Sequence, residues 1–290
     1  METRRFHVRG AELQALVFGD PAAANTALAA HGLTSSAISF ASIARRLPGD
    51  WRLVSLDLRG RGGSAGQPGP YGVDAHAADL VAVARRLETR SVLTGHSLGA
   101  YAALRAAAGH AELFTGLVLV DGGLPPPAVN GADLLGYTVT PTVTRLGRTF
   151  ADEDDYIDFY RRQPALAHDW SPEIETYIRY DICGGPGAVR SRTDPASVRA
   201  DIADLLANGD LVAADLIRLT LPARLFHASA GMLGRPPGML PKGNVDGWTR
   251  KAPMLTARLL DGVNHFTIVL ADSATAQIAA EIASIGDRAR

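Results

Sequence analysis

Cysteine is all but missing from the 290 residues: Cys183 stands alone, which excludes an intrachain disulfide framework and any cysteine-rich zinc site. Lysine is nearly as scarce. Lys242 and Lys251 are the only two among 29 basic residues, and arginine supplies the rest. The arginines are interleaved with 30 acidic residues for a formal net charge of −1, the pattern of a solvated surface. Without clustered positive charge, neither nucleic acid nor an anionic membrane is the expected partner. No uninterrupted apolar stretch reaches membrane-spanning length, and no apolar run follows the charged residues 1–7. Neither a spanning helix nor a signal peptide is therefore expected, and the expected location is the cytoplasm. With 290 residues, 47% of them hydrophobic, the chain suits one large domain, or one domain carrying a sizeable insertion.

What is present has a rhythm. His7–Arg9 and Leu13–Phe18, joined through Gly10, predict an opening hairpin. Short apolar runs at Ala27–Ala30, Trp51–Leu56, Ser91–Thr94 and Leu117–Val120 read as buried strands. Between them, helical spacing appears at Ser39–Leu47, at Asp74–Leu87 and at Leu98–Ala108; the second puts Ala77, Leu80, Val81, Ala84 and Leu87 on one face. Buried strands separated by helices predict an α/β fold, a mostly parallel central sheet with helices on both faces. The rhythm stops at Gly122-Gly123-Leu124-Pro125-Pro126-Pro127. Helical segments follow at Asp152–Arg162, Pro172–Asp181 and Pro195–Leu206, the last with Asp194 as its expected N-cap. Strand character returns at Ala223–His227 and Met254–Leu260, and Asp272–Ile285 closes as an amphipathic helix. The expected organisation is a core of residues 1–124 and 221–290 with a helical cap inserted at 125–220.

Five residues carry the chemistry. Gly95-His96-Ser97-Leu98-Gly99 lies between a predicted strand and a predicted helix, so the G-x-S-x-G pattern falls at a strand-to-helix turn. A serine in such a turn projects its hydroxyl out of the sheet, flanking glycines relieve backbone clashes, and the helix N-terminus adds partial positive charge beneath it.

With this elbow the chain resembles the α/β-hydrolases. His31-Gly32-Leu33-Thr34 is similar to the family's oxyanion loop, and Asp57-Leu58-Arg59-Gly60-Arg61-Gly62-Gly63-Ser64 to its D-x-R-G-x-G-x-S turn. Asn264-His265-Phe266 lies where the catalytic histidine is expected, with Asn in place of the usual Gly. The resemblance covers about residues 7–123 and 222–285, and it implies roles. Ser97 would be the nucleophile and His265 its base, because an unactivated hydroxyl needs an adjacent proton acceptor. The oxyanion hole would be the backbone N–H groups of Leu98 and Leu33. His31, Asp57 and Arg59 would brace the site, and His96 would have no catalytic role. For the triad acid, the segment after Ala223–His227 holds no carboxylate until Asp246. Asp121, directly after Leu117–Val120, is the favoured candidate and Asp246 the alternative.

A serine nucleophile implies acyl chemistry and no cofactor or metal. The expected reaction is hydrolysis of a carboxylic ester or lactone through an acyl-enzyme, on a small hydrophobic acyl substrate under the cap, by a monomer or homodimer. Leu134, Leu135, Tyr137, Phe150, Tyr156, Phe159, Trp170 and Tyr177 would pack or roof the pocket, with Tyr137 the candidate substrate contact. A thioesterase or C–C bond hydrolase is the alternative within the class. A small-molecule receptor with slow or no turnover is the alternative outside it.

Overall fold

A computed structural model describes residues 1–125 and 144–288. Eight strands form one sheet in the order β1-β2-β4-β3-β5-β6-β9-β10. These are β1 (Glu2–Val8), β2 (Ala11–Phe18), β3 (Asn25–Ala30), β4 (Trp51–Leu56), β5 (Ser91–His96), β6 (Phe114–Val120), β9 (Ala223–Ala230) and β10 (Leu255–Asn264). β2 pairs antiparallel with β1 and with β4, and every other pairing is parallel. β7 (Ile182–Cys183) and β8 (Arg190–Ser191) form a separate two-residue ladder.

The central strands are buried on both faces, and their alternation divides the core in two. Leu28, Ala30, Leu93, Leu117 and Leu119 face one layer, built on α2 (Val73–Ala84) and α3 (Leu98–Gly109). Ala27, Ala29, Val92, Val118 and Val120 face the other, where α1 (Ala41–Ala44) meets the closing helix. The expected helix over Ser39–Leu47 is a 3-10 turn at Ala37–Phe40 followed by α1 alone. Pro48 disfavours helical geometry at Leu47 and shortens this element. β1 starts earlier than expected, because its first four residues are exposed and carry no buried alternation to read.

Between β6 and β9 lie α4 (Glu153–Arg161), α5 (Pro164–Ala167), α6 (Pro172–Tyr180), α7 (Pro195–Ala207) and α8 (Gly209–Arg218). Their starts are written in the sequence. Asp152 and Ser171 accept from the backbone N–H three residues on, and Asp194 accepts from Ala196 and Ser197 ahead of Pro195. One boundary differs from expectation. α8 lies within the proposed cap range, yet Val212 and Leu216 bury against the α3 layer and join the sheet's own core. Its apolar face needed a partner, and the exposed side of α3 supplied it. After β9 come α9 (Lys242–Lys251) and, closing the sheet, α10 (Asp272–Arg288). Among the described residues no helix is long and apolar enough to cross a membrane.

Candidate active site

Parallel register brings Ala30, Gly95 and Val120 to one edge of the sheet, and the site is built there. Immediately past β5 the backbone turns through Ser97 at φ 52° and ψ −119°, a left-handed region that a side-chain-bearing residue rarely occupies. The turn is possible because its flanks lack side chains. A Cβ on Gly95 would stand 2.2 Å from the Gly99 carbonyl oxygen, and one on Gly99 would stand 2.0 Å from that of Ala30. The Ser97 N–H donates to Val120 O at 3.0 Å, which pins the elbow to β6.

Three side chains from three strand ends meet over this turn. Ser97 Oγ lies 3.1 Å from His265 Nε2, and His265 Nδ1 lies 2.6 Å from Asp121 Oδ2. An imidazole that donates from Nδ1 to a carboxylate presents the Nε2 lone pair to the hydroxyl. The second Asp121 oxygen accepts the Ala228 N–H at 3.1 Å, so the carboxylate is held from β9 as well. Both Asp121 and His265 are buried. Asp246 is not part of the cluster: it lies on α9, half exposed, and pairs with Lys242 Nζ at 2.6 Å. That ammonium holds its carboxyl below the usual range.

The opposite wall is the loop after β3. The N–H groups of Leu33 and Leu98 have no acceptor among the described residues. Gly32 packs so close that a Cβ there would be 3.2 Å from the Ser97 Cβ. His31 fixes this loop: Nδ1–H donates to Gly32 O at 2.8 Å, and Nε2 accepts the Leu58 N–H at 3.0 Å. Burial drives its pKa down to about 3, so the ring stays neutral and cannot lose its acceptor nitrogen. Asp57 accepts from the Ala37 and Gly63 N–H groups and from the Tyr180 hydroxyl, and Arg59 pairs with Asp79 at 2.6 Å. Arg61, wholly buried, donates from Nε to Leu33 O at 3.0 Å and ion-pairs with Asp201 of α7 at 2.5 Å.

Two residues act at the site without a motif to announce them. His96 Nε2–H donates to the His265 carbonyl at 2.9 Å, and burial lowers its pKa to about 3. A residue with no catalytic role expected of it thus tethers the loop that carries the imidazole. Asn264 accepts from the Phe266 and Thr267 N–H groups and donates to Ala165 O of α5 at 2.8 Å. The departure from glycine at that position therefore ties the His265 loop to the inserted helices.

A cavity of about 380 Å³ adjoins these residues, with Thr34 and Phe266 in its wall beside Arg145, Tyr160, Tyr177 and Met232. Of the expected aromatic roof, Tyr177 lines it; Tyr137, Leu134 and Leu135 lie outside the described residues. Among the described residues no group of three or more His, Cys, Asp or Glu side chains converges as metal ligands would.

The model of the alpha/beta hydrolase family matches residues 27–281. The chain belongs to the α/β-hydrolase family. This α/β-hydrolase is 44% identical to the N-formylmaleamate deformylase of Pseudomonas putida over 108 residues, 37% of this chain. The match spans 38% of that relative's own length. A 2-(acetamidomethylene)succinate hydrolase of known structure superposes with a TM-score of 0.82 at 19% identity, over 98% of this chain and 99% of the other. The thioesterase domain of the curacin biosynthetic pathway superposes with a TM-score of 0.72 at 20% identity, over 97% and 99%. At these identities the two structures speak for the fold.

Proposed function

We propose that the protein is a serine hydrolase that cleaves a carboxylic acyl bond, ester or amide, of a small molecule through an acyl-enzyme. The supporting observation is the unbroken chain of hydrogen-bonding distances from Ser97 Oγ through His265 to Asp121. Ser97 attacks the acyl carbon while His265 Nε2 accepts its proton, and Asp121 stabilises the imidazolium that forms. The Leu33 and Leu98 N–H groups, without an acceptor among the described residues, receive the oxyanion. His265 then passes the proton to the leaving oxygen or nitrogen. Water, activated by the same ring, attacks the acyl-enzyme carbonyl and releases the acid.

Amide substrates join the esters and lactones because the relative 44% identical over 108 residues is named N-formylmaleamate deformylase. In this reading the inserted helices, with Asn264 tied to α5 and Arg61 to α7, act as the specificity cap. The test is a panel of p-nitrophenyl esters, lactones, thioesters and N-formyl amides at neutral pH. Sustained turnover that Ser97→Ala abolishes supports the mechanism. A single stoichiometric burst without further turnover would instead mark a receptor that retains the triad.

A further inference from the structure

The cavity walled by Thr34 and Phe266 holds a cation that has no paired anion among the described residues. Its wall includes Thr34 and Phe266, the chain neighbours of Leu33 and His265, which puts the cavity next to the loops that carry the oxyanion N–H and the imidazole. Arg145 lines it. One guanidinium nitrogen donates to Thr34 Oγ1 at 3.2 Å, and the group stacks 5.0 Å from the Tyr160 ring centroid. Its Nε is shut off from solvent and has no acceptor among the described residues.

The cavity's own carboxylate does not fill that role. Asp181 Oδ2 accepts from the Tyr156 and Ser191 hydroxyls at 2.6 Å each, and Oδ1 from Thr193 at 3.3 Å. Its influence on Arg145 is exerted through space, without an ion pair. A second arginine, Arg235, stands in the same wall on the loop after β9. Arg59 and Arg61 show the contrast, since each ion-pairs with a buried aspartate, Asp79 and Asp201. An enclosed donor without a partner costs free energy, and the guanidinium fork matches a carboxylate in geometry and charge.

We propose that the substrate carries a carboxylate and that Arg145 holds it while Ser97 attacks the acyl carbon. This deepens the serine-hydrolase reading and rests on it. It also moves the expected substrate away from a purely hydrophobic ester, because the largely apolar wall of the cavity carries Arg145 and Arg235.

Matched ester pairs test it, with the enzyme-free rate subtracted. p-Nitrophenyl hydrogen glutarate against p-nitrophenyl valerate places the charge on the acyl side. 4-Carboxyphenyl butyrate against phenyl butyrate places it on the leaving group. The charged member of one pair should be favoured by about 10- to 100-fold in kcat/KM, mostly through KM. Arg145→Met should bring that ratio to about 1, and Arg145→Lys should keep part of it, as a point charge without the fork. Calorimetry with glutarate gives a readout free of turnover: Ser97→Ala should bind it, and Ser97→Ala/Arg145→Met should not. If Arg145→Met fails to fold, the Arg145→Lys ratio and its decline with added salt serve instead. Ser97-dependent turnover with no preference in either pair and no glutarate binding overturns the carboxylate assignment alone. Arg145-dependent glutarate binding without Ser97-dependent turnover of any ester overturns the hydrolytic mechanism and leaves the anion site standing.

Discussion

Replacing Asp121 with Asn separates the geometry of the triad from its charge. The carboxylate has two duties, accepting from His265 Nδ1 at 2.6 Å and from the Ala228 N–H at 3.1 Å. An amide can perform one of them. If its oxygen turns to His265, its NH2 faces the Ala228 N–H, and two buried donors left opposed cost about 1–3 kcal/mol. The favoured orientation keeps the oxygen on Ala228 and points the NH2 at Nδ1. His265 must then carry its proton on Nε2, where Ser97 Oγ needs a lone pair, and the imidazolium loses its counter-charge. The expected loss in kcat is about 10³–10⁴-fold, or about 4–5 kcal/mol of transition-state stabilisation, with KM changed by less than about threefold. Steady-state hydrolysis of p-nitrophenyl butyrate, normalised to folded enzyme by circular dichroism, measures it. Asp246→Asn, at an exposed pair with Lys242, should leave kcat within about twofold. An Asp121→Asn enzyme within tenfold of wild type, or an Asp246→Asn enzyme crippled, would refute the assignment of the acid.

Two further expectations follow from buried contacts. His96, held neutral with a pKa of about 3 against an ordinary 6.5, refuses a proton that the unfolded chain accepts between those values. Its contribution is complete above pH 6.5 and is lost as pH falls toward 3, amounting to about 2 kcal/mol by pH 5. His96→Gln keeps a donor for the His265 carbonyl but no longer titrates, so its melting temperature should decline less steeply from pH 7 to pH 5 than that of wild type; parallel curves would show that His96 is not the titrating group. Gly99→Ala would drive a methyl to 2.0 Å from the Ala30 carbonyl oxygen and force α3 away from β3. Denaturant unfolding should register a loss of more than about 3 kcal/mol, and a loss below about 1 kcal/mol would mean the elbow relaxes freely.

Much of this was legible in the chain because it is local. The runs at 27–30, 91–94 and 117–120 are buried on both faces and hold no charged residue, and strands buried on both faces are what a covered parallel sheet requires. The elbow was legible for a steric reason: Gly95 and Gly99 are the residues that the turn at Ser97 demands. Asp121 could be nominated because the next carboxylate after β9 was too far along the chain. What escaped was non-local. His96 meets the carbonyl of a residue 169 positions away, and nothing near it in sequence announces that bond. Arg145 carries no motif, and only its place in the cavity shows that its Nε has no acceptor among the described residues. The apolar stripe of α8 was readable as a stripe, but whether it faced the inserted helices or α3 depended on packing that periodicity does not encode.

The position of Asp121 before the inserted helices has a consequence for how this enzyme can change over time. Under the proposed mechanism the acid stands at the end of β6, and the loop between β9 and α9 is released from proton-transfer duty. Residues 231–233, 235–237 and Met239 of that loop instead form part of the cavity wall. Chemistry and selectivity are thus inscribed on different stretches of the polypeptide. The loop can drift in length and composition, trading Met232, Leu233 or Arg235 for other side chains, while the reacting atoms keep their alignment. A directed-evolution campaign confined to that loop would explore new substrates without wagering the catalyst on every clone.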